Sequence, residues 1–395
     1  MSASRSLGNR RDPGGSGGKA HLTSAYDGLV TRTLAAALSA LAAAALLAGC
    51  ATPGTSADAG TPEPTGDTRP LSELELYPDP KAVQGPRTAV VASDAVEPIA
   101  ESPKQSLPVT VVSHDPDGDR DIVVDDTSRV LALDIAGSLA ATVWGLGLGD
   151  TLVGRDMSTT FPGTEDLPVV TSGAHAVNGE SVLELRPTLV ITDGSIGPRD
   201  VLEQLRESGV TVVFVDNESS FAGAAQLASD IGSAMGVPDI GQQLADRITA
   251  QVDDTIAQID AIAPASADDK LRVMFLYLRG GSGIYYLFGE ESGASELIRA
   301  LGARDLAGEL GWKGSTPMTD EAMIEADPDV ILVMTDGIAS AGGVDGLLTA
   351  KPAIALTTAG QNKRFVDMAD GEILSFGPRS SLVLDALARA LYTKP

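Results

Sequence analysis

The sequence is short of residues on which much protein chemistry relies. One cysteine, Cys50, stands in 395 residues, so no internal disulfide can form. Histidine is nearly as scarce, three in the whole chain, and only His114 and His175 lie beyond the N-terminal apolar run. A bare zinc or manganese site draws several His and carboxylate ligands into one place, and the imidazoles for it are lacking. Positive charge is also short. Twenty-eight Lys and Arg face 54 Asp and Glu, a net charge of −26. Such a surface repels a phosphate backbone, and no basic stripe offsets it, which argues against a nucleic-acid partner. Catalytic signatures are missing too. There is no Gly-x-Ser-x-Gly nucleophile elbow between a strand and a helix and no Rossmann glycine fingerprint. The Gly280–Gly283 run is not followed by the Lys-Ser/Thr of a phosphate loop, although it would let a backbone approach a ligand closely. No enzyme is expected.

What is present falls into blocks. Leu34 to Gly49 is an almost unbroken apolar run, short for a membrane span and right for a signal-peptide core. It ends Leu47-Ala48-Gly49-Cys50. Small residues before a lone cysteine form a lipobox, in which the thiol takes a diacylglyceryl group and becomes the first residue after cleavage. A plain signal peptide with a chance cysteine is the alternative. Residues 1–29 are long and polar for a leader, and Val30-Thr31-Arg32 makes a normal short one, so Val30 is the expected start. Arg10-Arg11 lacks the pattern that follows a twin arginine. Residues 1–50 are thus read as the leader. Residues 51–106, rich in Pro, Thr, Ala, Gly and Asp and without an apolar period, are expected to be a disordered tether.

Structure is expected from Leu107. Val109-Thr-Val-Val-Ser and Ile122-Val-Val flank Asp115-Pro-Asp-Gly-Asp119, which predicts a hairpin. Asp115, Asp117 and Asp119 lack the spacing and closing Glu of an EF-hand, so a turn is favoured over a calcium loop, and His114 beside it is read as structural or exposed. From Arg129 strands alternate with helices, the pattern of a parallel α/β sheet. Strands are predicted at 130–133, 152–155, 168–170, 189–192 and 210–215, with helices at 138–148, 181–185, 199–207 and 221–235. Pro238-Asp239 then opens a long helix, with Asp239 as a possible N-cap. Leu244, Ile248, Val252, Ile256 and Ile259 recur at steps of three and four, one apolar face. A second α/β block follows, with strands at 271–278, 285–288, 330–334, 364–368 and 373–376 and helices at 294–301, 321–326 and 381–392. The two blocks share a repeat. Glu180-Ser-Val-Leu-Glu184-Leu-Arg-Pro187 aligns without a gap on Glu321-Ala-Met-Ile-Glu325-Ala-Asp-Pro328, each a short helix, a Pro bend and a buried strand. The expected architecture is two Rossmann-like α/β lobes, 107–237 and 265–395, bridged by one long helix over 238–264.

In open α/β sheets ligands sit beyond the carboxyl ends of strands. His175 follows the 168–170 strand in a loop of small residues, and Tyr277 lies near the end of the 271–278 strand. Val273, Phe275, Tyr277 and Arg279 share one strand face, so the Tyr-x-Arg spacing can set a guanidinium beside a phenol. Met334 ends the strand that repeats 189–192, where it can face the cleft or pack in the core. Tyr285, Tyr286 and Trp312 are further cleft candidates that the sequence does not rank. Glu180 and Glu321 each open the repeated helix, where a negative charge is favoured in any case.

This architecture resembles the substrate-binding proteins of ABC importers whose lobes are bridged by one backbone helix, the class III periplasmic-binding-protein type, which serve cobalamin, siderophores, haem and some metal ions. The resemblance covers about residues 107–395. Around Thr171-Ser-Gly-Ala-His175 and Phe275-Leu-Tyr277-Leu-Arg279 the chain is similar to the haem-binding lipoproteins of Gram-positive haem importers. That resemblance implies ferric haem as the cargo. His175 and Tyr277 would ligate the iron from opposite faces, with Arg279 hydrogen-bonded to the tyrosine oxygen. Glu180 and Glu321 would dock to arginines of a permease. The implied partners are the permease and its ATPase, upstream haem-donor surface proteins, and the membrane through Cys50, at the extracytoplasmic face of the cell membrane. A phenol ordinarily holds its proton to about pH 10. Ferric iron and a nearby guanidinium both favour the anion, and phenolate and imidazole are both axial ligand types for haem. Alternatives are a ferric siderophore or corrinoid receptor of the same fold, or a surface haem-relay module without a permease.

Overall fold

In the computed structural model, which describes residues 66–395, the first described residues lie not on the first lobe but on the second. The leader, the lipobox and Cys50 lie outside the described residues. Leu71 is fully buried, and β1 (Arg87–Thr88) pairs in parallel with a strand near the far end of the chain, Arg87 opposite Val366. The Arg87 guanidinium donates to the buried carbonyls of Arg389 and Thr393 at the carboxyl end of the last helix. The segment then crosses to the first lobe, where Ile99 N–H bonds to the Gly145 carbonyl at 2.7 Å and Ser106 N–H to Gly236 at 2.8 Å. Residues 66–106 are therefore a strap and not the expected tether. Their anchors, Leu71, Ala89, Val91 and Val96, are buried at irregular intervals. An extended strap needs no period, so composition alone mimics disorder.

The first lobe opens with a hairpin, β2 (Val109–Ser113) against β3 (Arg120–Val124), as predicted. Its sheet is β4 (Val130–Leu133), β7 (Leu189–Thr192) and β8 (Thr211–Phe214), all parallel in that order. A short hairpin, β5 (Thr171–Ser172) with β6 (Ala176–Val177), lies between β4 and β7 in the chain. The segments expected as strands near 152–155 and 168–170 make single parallel bridges, Val130 with Leu152 and Arg155 with Val169. Helices α1 (Ser138–Gly145), α2 (Gly179–Glu184), α3 (Arg199–Glu207) and α4 (Phe221–Ala234) complete the lobe. The strands alternate as the pleat requires. Val130, Ala132 and Ile191 enter one core, and Leu131, Leu133 and Val190 another.

The bridge is α5 (Pro238–Ile262), 25 residues and about 37 Å long. Proline takes its first position and Val237 is the N-cap, so Asp239 lies in the first turn and does not cap. Leu244, Ile248, Val252 and Ile259 are buried, and Ile256 is half-buried on the same core. α5 packs closely on α4. A Cβ at Gly232 would meet the Gly241 Cα at 2.5 Å, so both positions demand glycine.

The second lobe holds the larger sheet, in the order β1, β14 (Phe365–Met368), β13 (Val330–Met334), β9 (Arg272–Arg279), β10 (Ile284–Phe288), β12 (Ser315–Pro317), with β11 (Arg304–Asp305) alongside β9. β10 runs antiparallel to both its neighbours, β9 and β12, and the other pairings are parallel. Its helices are α6 (Ala294–Ala300), α7 (Leu306–Glu309), α8 (Asp320–Ala326), α9 (Thr335–Ser340), α10 (Gly343–Ala350), α11 (Pro352–Leu356), α12 (Thr358–Gln361) and α13 (Ser380–Tyr392). Residues 373–376, expected as a strand, form a turn that buries Ile373 and Phe376. Arg364 is buried beside Arg87 and gives hydrogen bonds to Ala390 (2.8 Å) and Leu391 (3.3 Å) carbonyls, and burial pulls its pKa down to about 10. Both arginines thus rest on the negative end of α13. Among the described residues no helix is long and apolar enough to cross a membrane.

If the strap is structural, Leu71→Ala costs about 3 kcal/mol in denaturant unfolding. A free tether would lose nothing.

Candidate functional site

The first-lobe half of the site is a three-residue hairpin loop. Thr171 pairs with Val177 and Ser172 with Ala176, leaving Gly173-Ala174-His175 as the connection. His175 has φ of +56°, the left-handed position that closes such loops and that glycine fills at least cost. The hairpin is held at its base, where Val177 N–H meets the Gly197 carbonyl at 2.6 Å and Asn178 N–H meets Val170 at 2.8 Å. The imidazole is half-buried, and its Nδ1 is buried with no hydrogen-bond partner. A strained backbone carrying an unsatisfied polar atom is the kind of feature that function, not folding, maintains.

The second-lobe half is rigid. Tyr277 stacks on Phe288 with centroids 5.4 Å apart and planes 6° apart, and Phe288 stacks on Phe275 at 5.3 Å and 8°. Arg279 covers the open face of Tyr277, its guanidinium carbon 4.8 Å from the ring centroid. Val273, Phe275 and Tyr277 belong to one core and Met274, Leu276 and Leu278 to the other, as the strand alternation predicted. The expected bond from Arg279 to the tyrosine oxygen is not among its contacts here: Nη1 donates to the Leu278 carbonyl at 3.0 Å and Nη2 to Asp370 Oδ2 at 2.7 Å. Its charge reaches Tyr277 through the ring face instead.

Met334 is half-buried at the end of β13, beside α9. A Cβ at Gly337 would lie 3.6 Å from the Met334 Cβ and 3.2 Å from Arg279 Nη1, so a glycine in α9 makes room for both. The register separates the aromatic candidates. Tyr286 stands opposite Tyr277 and shares its face, whereas Tyr285 and Trp312 pack on the other core. The Gly280–Gly283 run is the β9–β10 turn, and the close approach it permits is to Ala341. Tyr277, Arg279 and Met334 thus form one group, and His175 stands on the other lobe.

The lobes touch through neighbouring loops. A Cβ at Gly371 would meet the Ser158 carbonyl oxygen at 2.7 Å, and the Phe221 and Phe376 rings lie 5.2 Å apart. Beside this seam Ile135 and Met157 keep 52 % and 44 % of their surface exposed, large apolar side chains that the sequence reading missed. Beneath them is a buried carboxylate pair. Asp134 accepts from the Ser138 N–H (3.0 Å) and hydroxyl (2.9 Å), and Asp156 from the Ser158 (2.9 Å) and Thr159 (2.8 Å) N–H groups. Burial drives both acids above the ordinary carboxylate range. Each pins the loop that carries an exposed apolar residue. For Asp134 the visible signal was an acidic residue directly after the apolar strand Val130–Leu133.

Glu180 and Glu321 are exposed in the first turns of α2 and α8, capped by Asn178 and Thr319. The repeat extends beyond its letters. Arg186 and Asp327 both have positive φ, +46° and +40°, just before a buried proline, and Leu183 and Ile324 are exposed at matching positions. In the β2–β3 turn the aspartates diverge to separate cations, Asp115 to Arg120 and Arg206, Asp117 to Arg199 and Asp119 to His114. The Asp119 bond raises the His114 pKa.

A family model described as periplasmic binding protein matches residues 130–370. The chain belongs to that family. Among solved structures, the haem-binding protein HmuT is 40 % identical, with a TM-score of 0.74 over 80 % of this chain and 100 % of that one. Among relatives by sequence, an uncharacterized ABC transporter substrate-binding lipoprotein, YvrC of Bacillus subtilis, is 26 % identical over 73 % of this chain and 88 % of its own length. A cobalamin-binding protein of Halobacterium salinarum is 26 % identical over 72 % and 73 %. The family and these relatives are binding proteins, and HmuT shares the fold.

His175→Gly relieves the left-handed strain, and the variant is expected to gain about 1 kcal/mol in the unliganded protein, read as a raised Tm. An unchanged or lowered Tm would show that the loop is not strained by its histidine.

Proposed function

We propose that this protein binds ferric haem outside the cytoplasmic membrane and delivers it to an ABC permease, for uptake as an iron source. His175 supplies one axial nitrogen and Tyr277 the opposing phenolate oxygen. Arg279 favours the anion through the ring face, and Met334 and Tyr286 pack beside the porphyrin. The observation that carries this reading is the Arg279–Tyr277–Phe288–Phe275 column, which leaves a phenol near the carboxyl end of β9 with a cation fixed against it. Support comes from HmuT, whose solved structures include alanine replacements of one histidine, one tyrosine and an arginine two positions after that tyrosine. The Tyr277–Arg279 spacing is the same. Two axial ligands leave the iron no open position for oxygen chemistry.

The permease, with its ATPase, is the proposed partner at Glu180 and Glu321. Both carboxylates are exposed at equivalent places, each with an exposed aliphatic residue one turn on, which suits a partner that presents two similar basic surfaces. Attachment through a lipidated Cys50 is supported by the lipobox and by the lipoprotein relative. Haem-donor surface proteins upstream are the proposed source. Corrinoid cargo is the second reading, favoured by the cobalamin-binding relative.

Haemin titration tests the cargo. A Soret band is expected, and His175→Ala or Tyr277→Ala should each shift it and raise Kd at least about tenfold, a loss of about 1.4 kcal/mol. Colourless protein that retains cyanocobalamin would transfer the proposal to the corrinoid. For docking, Glu180→Arg with Glu321→Arg should abolish haem uptake by cells while leaving haemin binding intact. Normal uptake would remove both residues from the interface.

A further inference from the structure

Asp370 lies two residues beyond the end of β14, on the loop that meets the other lobe, and no sequence motif marks it. Its two oxygens serve two different elements. Oδ2 accepts from Arg279 Nη2 at 2.7 Å, and Oδ1 accepts the backbone N–H of Asp336, in the first turn of α9, at 2.9 Å. Arg279 is otherwise tethered only by Nη1 on the Leu278 carbonyl, its own neighbour in the chain. Its side chain keeps 30 % of its surface exposed. A long side chain at the last position of a strand, with a single local hydrogen bond, has much rotamer freedom to regain. The charge-assisted bond to Asp370 is what selects the one rotamer that lays the guanidinium over Tyr277. Asp370 is itself aimed by α9, and the glycine at 337 keeps that helix clear of the arginine.

We propose that Asp370 is a positioning residue of the cargo site: it clamps Arg279 against the Tyr277 ring and so holds the phenol oriented toward its ligand. This rests on the reading of Tyr277 as an iron ligand. The Asp370 carboxylate is bonded to Arg279 and the Asp336 N–H and not to the phenol oxygen, so it acts through Arg279. The next residue, Gly371, abuts Ser158 of the first lobe, so the clamp stands on the loop where the two lobes meet.

Asp370→Asn tests it, since the amide oxygen still accepts the Asp336 N–H and α9 is kept. In the cargo-free protein the NMR ring signals of Tyr277 should move toward the positions they take in Arg279→Ala. In haemin-loaded protein the dissociation rate of haem should rise about tenfold and the tyrosinate-to-iron band should shift. Added to Arg279→Ala, Asp370→Asn should change nothing further, because the two act as one unit. Ring signals that stay in place, or losses that add in the double variant, overturn the proposal. Failure of the cargo reading is a separate result. There the wild type stays colourless with haemin, while the ring shift still decides whether Asp370 clamps Arg279.

Discussion

One apolar stripe holds the molecule together. Leu244, Ile248, Val252 and Ile259 on α5 join a core that takes Ala132 and Ile191 from the first lobe and Val273, Phe275 and Leu332 from the second. Fully burying each such side chain is worth roughly 1.5–3 kcal/mol, and here the same burial stabilises both halves at once. The lobes therefore share a spine and do not merely share a linker. The strap adds a second connection, from the edge of the large sheet to α1 and the α4–α5 turn.

On this frame the two halves of the site are built in opposite ways. Tyr277 is fixed by packing, in a strand at the centre of a sheet and in a stack of rings. His175 is held only by the base of a small hairpin, and its backbone occupies a conformation that costs energy. A tyrosine fixed by packing with a cation on its face and a histidine on a strained loop suit the proposed site, which must both accept a ligand and give it up. Buried Asp134 and Asp156 stiffen the loops beside the seam at the expense of keeping two acids out of water.

Local pattern made much of this legible. The α5 face, the hairpin at 109–124, the alternation on β9 and the helix-Pro-strand repeat each depend on residues close in the chain, where period and turn chemistry operate directly. The strap was not legible, because Leu71, Val91 and Val96 have no period and Arg87 finds its partners about three hundred residues away. Residues 373–376 carry the apolar content of a strand but have no neighbour to pair with, so they turn and bury Ile373 and Phe376 in the core.

By itself the sequence determined the two α/β lobes, the rod between them, and a Tyr-x-Arg pair on one strand face, since each follows from spacing along the backbone. Only the tertiary structure decided that Arg279 lies on the ring and not at the oxygen, that Tyr286 and not Tyr285 shares the Tyr277 face, and that Asp370 holds the arginine. Those choices depend on strand register and on which loop ends meet at the edge of a sheet. Both are set by long-range packing that no local pattern encodes.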